Sequence, residues 1–249
     1  MSASTGISSL SLLLLGLLGP CAPSAATLEA PAEPSRPGPS ASVETPRERA
    51  QQQTQTVHTF MRHHARDAEE LRRAVIAGRF DRIHRVSAAM ASDAWSANLR
   101  PEYVPHVTAL RRAASAALDA RSTQAAGAAL GALGSACAAC HLEHGGPSAA
   151  ASSEGALTGG VGTMAVHATA EQAMWDGLFR PSAASWKRGA ELLASAPELD
   201  SDNEDVAALG SRLRDAALVA ASDGPQGERY GRILANCSSC HRRLSIEPH

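Results

Sequence analysis

The 249-residue chain carries one five-residue pattern twice, and the second copy lies almost at its C-terminus. Cys137-Ala138-Ala139-Cys140-His141 is followed 100 residues later by Cys237-Ser238-Ser239-Cys240-His241, after which only eight residues remain. Any fold built around these patterns must place each at the end of its unit, with its packing partners upstream. On a helix, two cysteines three residues apart project from one face, and the histidine follows at the next position. Cys makes up 5 and His 10 of the residues. For a given Cys, chance supplies both partners at this spacing roughly once in a thousand times.

This chemistry predicts covalent attachment of haem c. The two thiols of each pattern add across the vinyl groups of one porphyrin, and the adjacent histidine becomes the proximal iron ligand. The expected attachment residues are Cys137, Cys140, Cys237 and Cys240, with His141 and His241 on iron. Three other uses of paired cysteines are weaker. Zinc held by both pairs would join ligands nearly a hundred residues apart. A thioredoxin-like dithiol would need a βαβ pattern, and none is visible. Two disulfides would leave both following histidines without a role. Composition agrees with a large apolar cofactor. Hydrophobic residues make up 44% but aromatics only 3%. An alanine-rich interior buries little area per residue, and a porphyrin would fill it.

The repeat extends beyond the motif. Leu130 and Leu133 match Tyr230 and Ile233 at the 100-residue offset. Val107, Leu110, Ala114 and Leu118 match Val206, Leu209, Leu213 and Ala217 at 99. Met61 and His64 match Met164 and His167 at 103. Within each copy the periodicity is helical. Val57, Met61, His64, Ala68, Leu71 and Val75 fall on one face, and Gly78 offers a stop. Further helices are expected near 80–91, 103–120 and from 123 into the motif. The second copy gives 164–179, 183–194, 203–221 and 228–243. The resulting expectation is an all-α chain of two tandem four-helix bundles, each with a C-terminal CxxCH motif. They would occupy 48–145 and 163–249. A Gly/Ala/Ser-rich linker over 146–162 would separate them, and the two would fold apart.

Motif order points to a family. In class I cytochromes c the haem motif opens the domain, and no room for that fold follows Cys237. The chain instead resembles class II cytochromes c, the cytochrome c prime group, in its helical pattern and the late position of both motifs. That resemblance implies bundles with the haem on the last helix and any distal ligand on the first. Each copy is shorter than a typical class II domain. His64 and His167 are the repeated distal candidates, because burying an unpaired polar ring on an apolar face is costly. Met61 and Met164, one helical turn before them, are the alternatives, and an open sixth position is the third. His58, His63, His84, His106, His144 and His249 lack a counterpart and read as solvated or as neighbours of ligands.

The expected function is single-electron transfer between redox partner proteins, with no catalytic residues. The alternative is binding or sensing of CO or NO through an open distal site. Peroxidase-type chemistry is a further alternative, but no acid/base constellation repeats. The net charge of -2 and the absence of a basic stripe speak against nucleic-acid binding. Residues 48–145 hold 12 Arg against 9 acids, and 146–249 hold 9 basic residues against 13 acids. Docking of different partners by the two copies is one reading of that imbalance, and ordinary scatter is the other. The N-terminus reads as a secretory leader cleaved after Ala26, which predicts a periplasmic or otherwise exported protein. A Pro/Ala/Ser-rich tether would follow over 27–47. A lipid anchor at Cys21 is the alternative to simple cleavage. No other segment is expected to cross a membrane.

Overall fold

The computed structural model describes residues 45–92, 99–147, 163–197 and 203–245. The leader over 1–26, most of the 27–47 tether, most of the 146–162 linker, Cys21 and His249 lie outside the described residues. The described residues form eight α-helices and no strand. The helices are α1 (Pro46–Ala77), α2 (Phe80–Ala91), α3 (Val104–Leu118) and α4 (Thr123–His144), then α5 (Thr163–Phe179), α6 (Ala183–Ala194), α7 (Glu204–Ala221) and α8 (Gln226–Leu244). A short 3-10 turn, Pro101–Tyr103, leads into α3.

Local chemistry explains the ends. Thr45 caps α1 by accepting from the Glu48 N–H, while the Glu48 carboxylate accepts from the Thr45 N–H. Pro46 occupies the first turn, where its missing donor costs nothing. The helix therefore starts inside the span expected to be tether. Gly78 ends it at φ 65°, a left-handed geometry that glycine adopts without strain. Ser122, Ser182 and Asn203 cap α4, α6 and α7 in the same manner as Thr45.

α4 is apolar nearly all round, with Glu143 its only acidic or basic residue apart from its histidines. Such a helix must be covered on several sides, and α3, α5 and α8 pack on it. By length and composition it is also apolar enough to cross a membrane, contrary to the sequence expectation, although half of its most apolar window is buried in this fold.

Successive helices pack in each copy, but closure is exchanged between copies. α1 lies along α8 more than along α4, and α5 packs on α4 more than on α8. The axis of the arrangement is the α4/α8 crossing. A Cβ on Gly131 would fall on the Gly227 carbonyl, and one on Gly127 would fall on that of Gly231. Only glycine permits backbones to approach so closely. Gly127 and Gly131 are the 100-residue counterparts of Gly227 and Gly231, so the contact has the self-complementary form of a two-fold interface. One hydrophobic core spans both copies, from Leu71, Val75 and Leu130 to Trp175, Tyr230 and Leu234. The expectation that the copies fold apart is thus corrected. Their apolar faces are buried against each other.

Candidate functional site

Each CxxCH pattern occupies the last turns of its helix, α4 or α8, and each borders a cavity. The first cavity has a volume of about 580 Å³. Val57, His58 and Met61 of α1 line it, with Tyr103, Val107, Cys140, His141 and His144. The second copy adds Phe179 and Arg180. The second cavity, about 670 Å³, is lined by Met164 and His167 of α5, Leu209 and Leu213 of α7, and Cys237, Cys240 and His241 of α8. Here the first copy contributes Glu69, Arg72, Arg73 and Ile76. Both volumes fall within the range of about 300–1,000 Å³ usual for sites that enclose a small organic molecule. Neither copy closes its cavity alone.

The histidine chemistry suits iron at the first cavity. His141 is buried, and its Nδ1–H donates to the Phe179 carbonyl oxygen at 2.8 Å. That bond fixes the ring and leaves Nε2 as the nitrogen that could hold a metal. Burial holds the imidazole below its usual pKa, opposed by the bond to Phe179 and helped by Arg180. Burial thus favours the neutral ring that ligation requires. His241 is equally buried at the wall of the second cavity.

The four motif cysteines are free thiols. Cys140, Cys237 and Cys240 line the cavities, whereas Cys137 is buried and does not line the first. Burial pushes the Cys137 and Cys237 thiols up to about 12 and raises Cys140 and Cys240 as well. A redox-active dithiol needs the opposite shift, toward thiolate. The two pairs also do not meet in a four-cysteine zinc site. Among the described residues, the grouping with metal-binding spacing is His106, Cys140 and His144.

The distal candidates separate. Met164 and His167 both line the second cavity, and burial, with Arg214 nearby, lowers the His167 pKa. At the first cavity Met61 lines the wall but His64 does not. The His64 ring is buried, stacks on Phe60 at 3.9 Å and donates from Nδ1 to the Phe60 carbonyl at 3.1 Å. His58 and His144, which read from sequence as solvated or as neighbours of ligands, line the first cavity instead. Their lack of a repeat partner hid them.

A polar and aromatic cluster between the cavities was also missed. Arg72 pairs with Glu171, and the Tyr230 hydroxyl donates to the same carboxylate. Arg72 further bonds Glu69 at 2.6 Å and Gln172 at 2.8 Å, and its guanidinium lies over the Trp175 ring at 5.4 Å. Burial pushes the Glu171 carboxyl up while Arg72 and Tyr230 draw it back. Trp175 stacks on Tyr230 at 5.8 Å and approaches Phe179 at 4.8 Å. Phe179 in turn meets His141 edge-on at 6.2 Å.

Comparison with protein families, with curated protein sequences and with solved structures returns no match.

Proposed function

We propose that the chain is an exported di-haem c-type cytochrome, built as two four-helix units that exchange their first helices, and that it passes single electrons between redox partner proteins. One observation carries this reading: each CxxCH pattern presents a cysteine and its histidine to a cavity of porphyrin scale. Haem iron supplies the one-electron chemistry when bound. The chain supplies the thioether sites Cys137, Cys140, Cys237 and Cys240, the proximal imidazoles of His141 and His241, and an apolar surround. The contact path from His141 through Phe179, Trp175 and Tyr230 to Glu171, on the wall of the second cavity, supports transfer between the two sites within one molecule.

Acidified-solvent extraction of the denatured exported protein, with haem counted per chain, tests the reading. Two haems that resist extraction are expected. Extractable haem, or one per chain, would refute it.

The second reading is binding of CO or NO, and the position of His64 off the first cavity favours it there. His167 is the preferred distal ligand at the second site, with Met164 the alternative. Met61 takes precedence over His64 at the first. Rapid CO uptake by only the first haem of the reduced protein would assign that site to gas binding. Slow uptake at both would assign both to electron transfer.

A further inference from the structure

Among the described residues, the first cavity carries a ligand set that the second lacks. Cys140 Sγ and one ring nitrogen each from His106 and His144 all lie within 4.8 Å of one another. The Nε2 atom of His144 is buried, makes no hydrogen bond and stands 4.0 Å from Glu143 Oε1. A buried ring nitrogen in that condition calls for an explanation. The rings around it are already placed. Tyr103 packs on His144 at 4.6 Å, His106 meets it edge-on at 5.2 Å, and His106 Nε2 lies 3.1 Å from Glu143 Oε2. The corresponding positions of the second copy are Asp205, Cys240 and Leu244, so only the cysteine is shared.

We propose that, before haem is attached, the first site binds one divalent cation of the zinc class through Cys140, His106 and His144. Thiolate with two imidazoles is a favoured donor set for such an ion. Bonds of about 2.0–2.3 Å in a tetrahedron place ligand atoms roughly 3.3–3.6 Å apart. Rotation of the three side chains must close the group to that size from its present spread of at most 4.8 Å. Binding replaces the thiol proton with the metal and releases it to solvent. A carboxylate from Glu143 then holds the His106 ring, as outer groups commonly do for ligating histidines. The inference rests on the haem reading in one respect: a thioether at Cys140 would remove the thiolate, so the two occupants exclude each other.

The test uses the full chain produced where no haem is attached, titrated with Co²⁺ and then displaced by Zn²⁺. One Co²⁺ per chain is expected, with a thiolate-to-metal band in the near ultraviolet. Cys140→Ala should abolish the band. His144→Leu and His106→Gln should each weaken binding by about tenfold or more, while His63→Gln, at a histidine of α1 that does not line the first cavity, should leave it unchanged. Retention of helicity by the two histidine variants keeps the result interpretable if Cys140→Ala does not fold. The proposal is overturned if Co²⁺ persists in Cys140→Ala, or if both histidine variants bind as the parent does. It is equally overturned if Cys137→Ala abolishes binding, because the ion would then sit on the cysteine pair. Haem counting on the exported protein reads the other hypothesis separately. Two stable haems with no Co²⁺ site defeats only the metal proposal, and a Co²⁺ site without covalent haem defeats only the cytochrome reading.

Discussion

Arg72 and Glu171 are the residues whose loss should be felt most. Both side chains are below a tenth exposed, and they come from helices of different copies. Removing one partner leaves a buried charge without compensation, which costs about 3–5 kcal/mol. Arg72→Leu and Glu171→Leu should each lower the denaturation midpoint strongly, and the double variant should lose less than the sum. Additive losses in that cycle would show that the pair is not coupled. His64 governs a second effect, the response to acid. Burial holds its imidazole below the ordinary value of 6.5. The unfolded chain therefore accepts a proton that the folded chain refuses. This contribution to stability is complete above pH 6.5 and is lost as the pH falls through the depressed folded value. Urea midpoints of the haem-free chain should drop between about pH 7.5 and about pH 5, and His64→Gln should reduce that slope, leaving the part due to His141 and His167, whose imidazoles burial also holds low. An unchanged slope would mean that His64 is not the group responsible.

At the level of helices, sequence periodicity was a good guide to extent and a poor one to partnership. The expected spans 80–91 and 183–194 coincide with α2 and α6, and the ends of the others differ by a few residues, except that α1 starts at Pro46, well before Val57, the first residue of its expected stripe. Periodicity reports which face of a helix is apolar, but not what covers it. The same limit applied to ligands: Met61, Met164 and His167 line cavity walls, while His64, on the same stripe as Met61, does not line the first cavity. The glycines of α4 and α8 were the available sign of the crossing, because a helix gains nothing from them otherwise. Alanine exceeds glycine by about 0.8–1 kcal/mol in helix preference. Gly131→Ala should nevertheless destabilise the protein, since its methyl group meets the Gly227 backbone rather than a side chain that can move. A rise in midpoint would mean that α4 and α8 stand further apart than described.

For the molecule as a whole, the decisive fact is that each cavity is completed by the other copy. Cutting the chain at a protease site placed within 148–162 should leave both fragments eluting together. Separation of the fragments under native conditions would restore the picture of two independent units, drawn from the polar, glycine-rich composition of that segment. Composition describes the connecting segment and is silent about surfaces elsewhere, which is why it misled.

The near-symmetry of the crossing has one more consequence. At the 103-residue offset, Arg72 corresponds to Trp175 and Ala68 to Glu171, yet Arg72 contacts both Trp175 and Glu171. Two identical chains paired about such an axis would bring arginine to arginine or tryptophan to tryptophan at the first of these positions. Joining the copies in one polypeptide releases them from that constraint, because each change is then made once instead of twice. A cation can face an indole and a carboxylate at the dyad, and the two cavities can acquire different walls. Covalent fusion here is what allows the halves to become unequal.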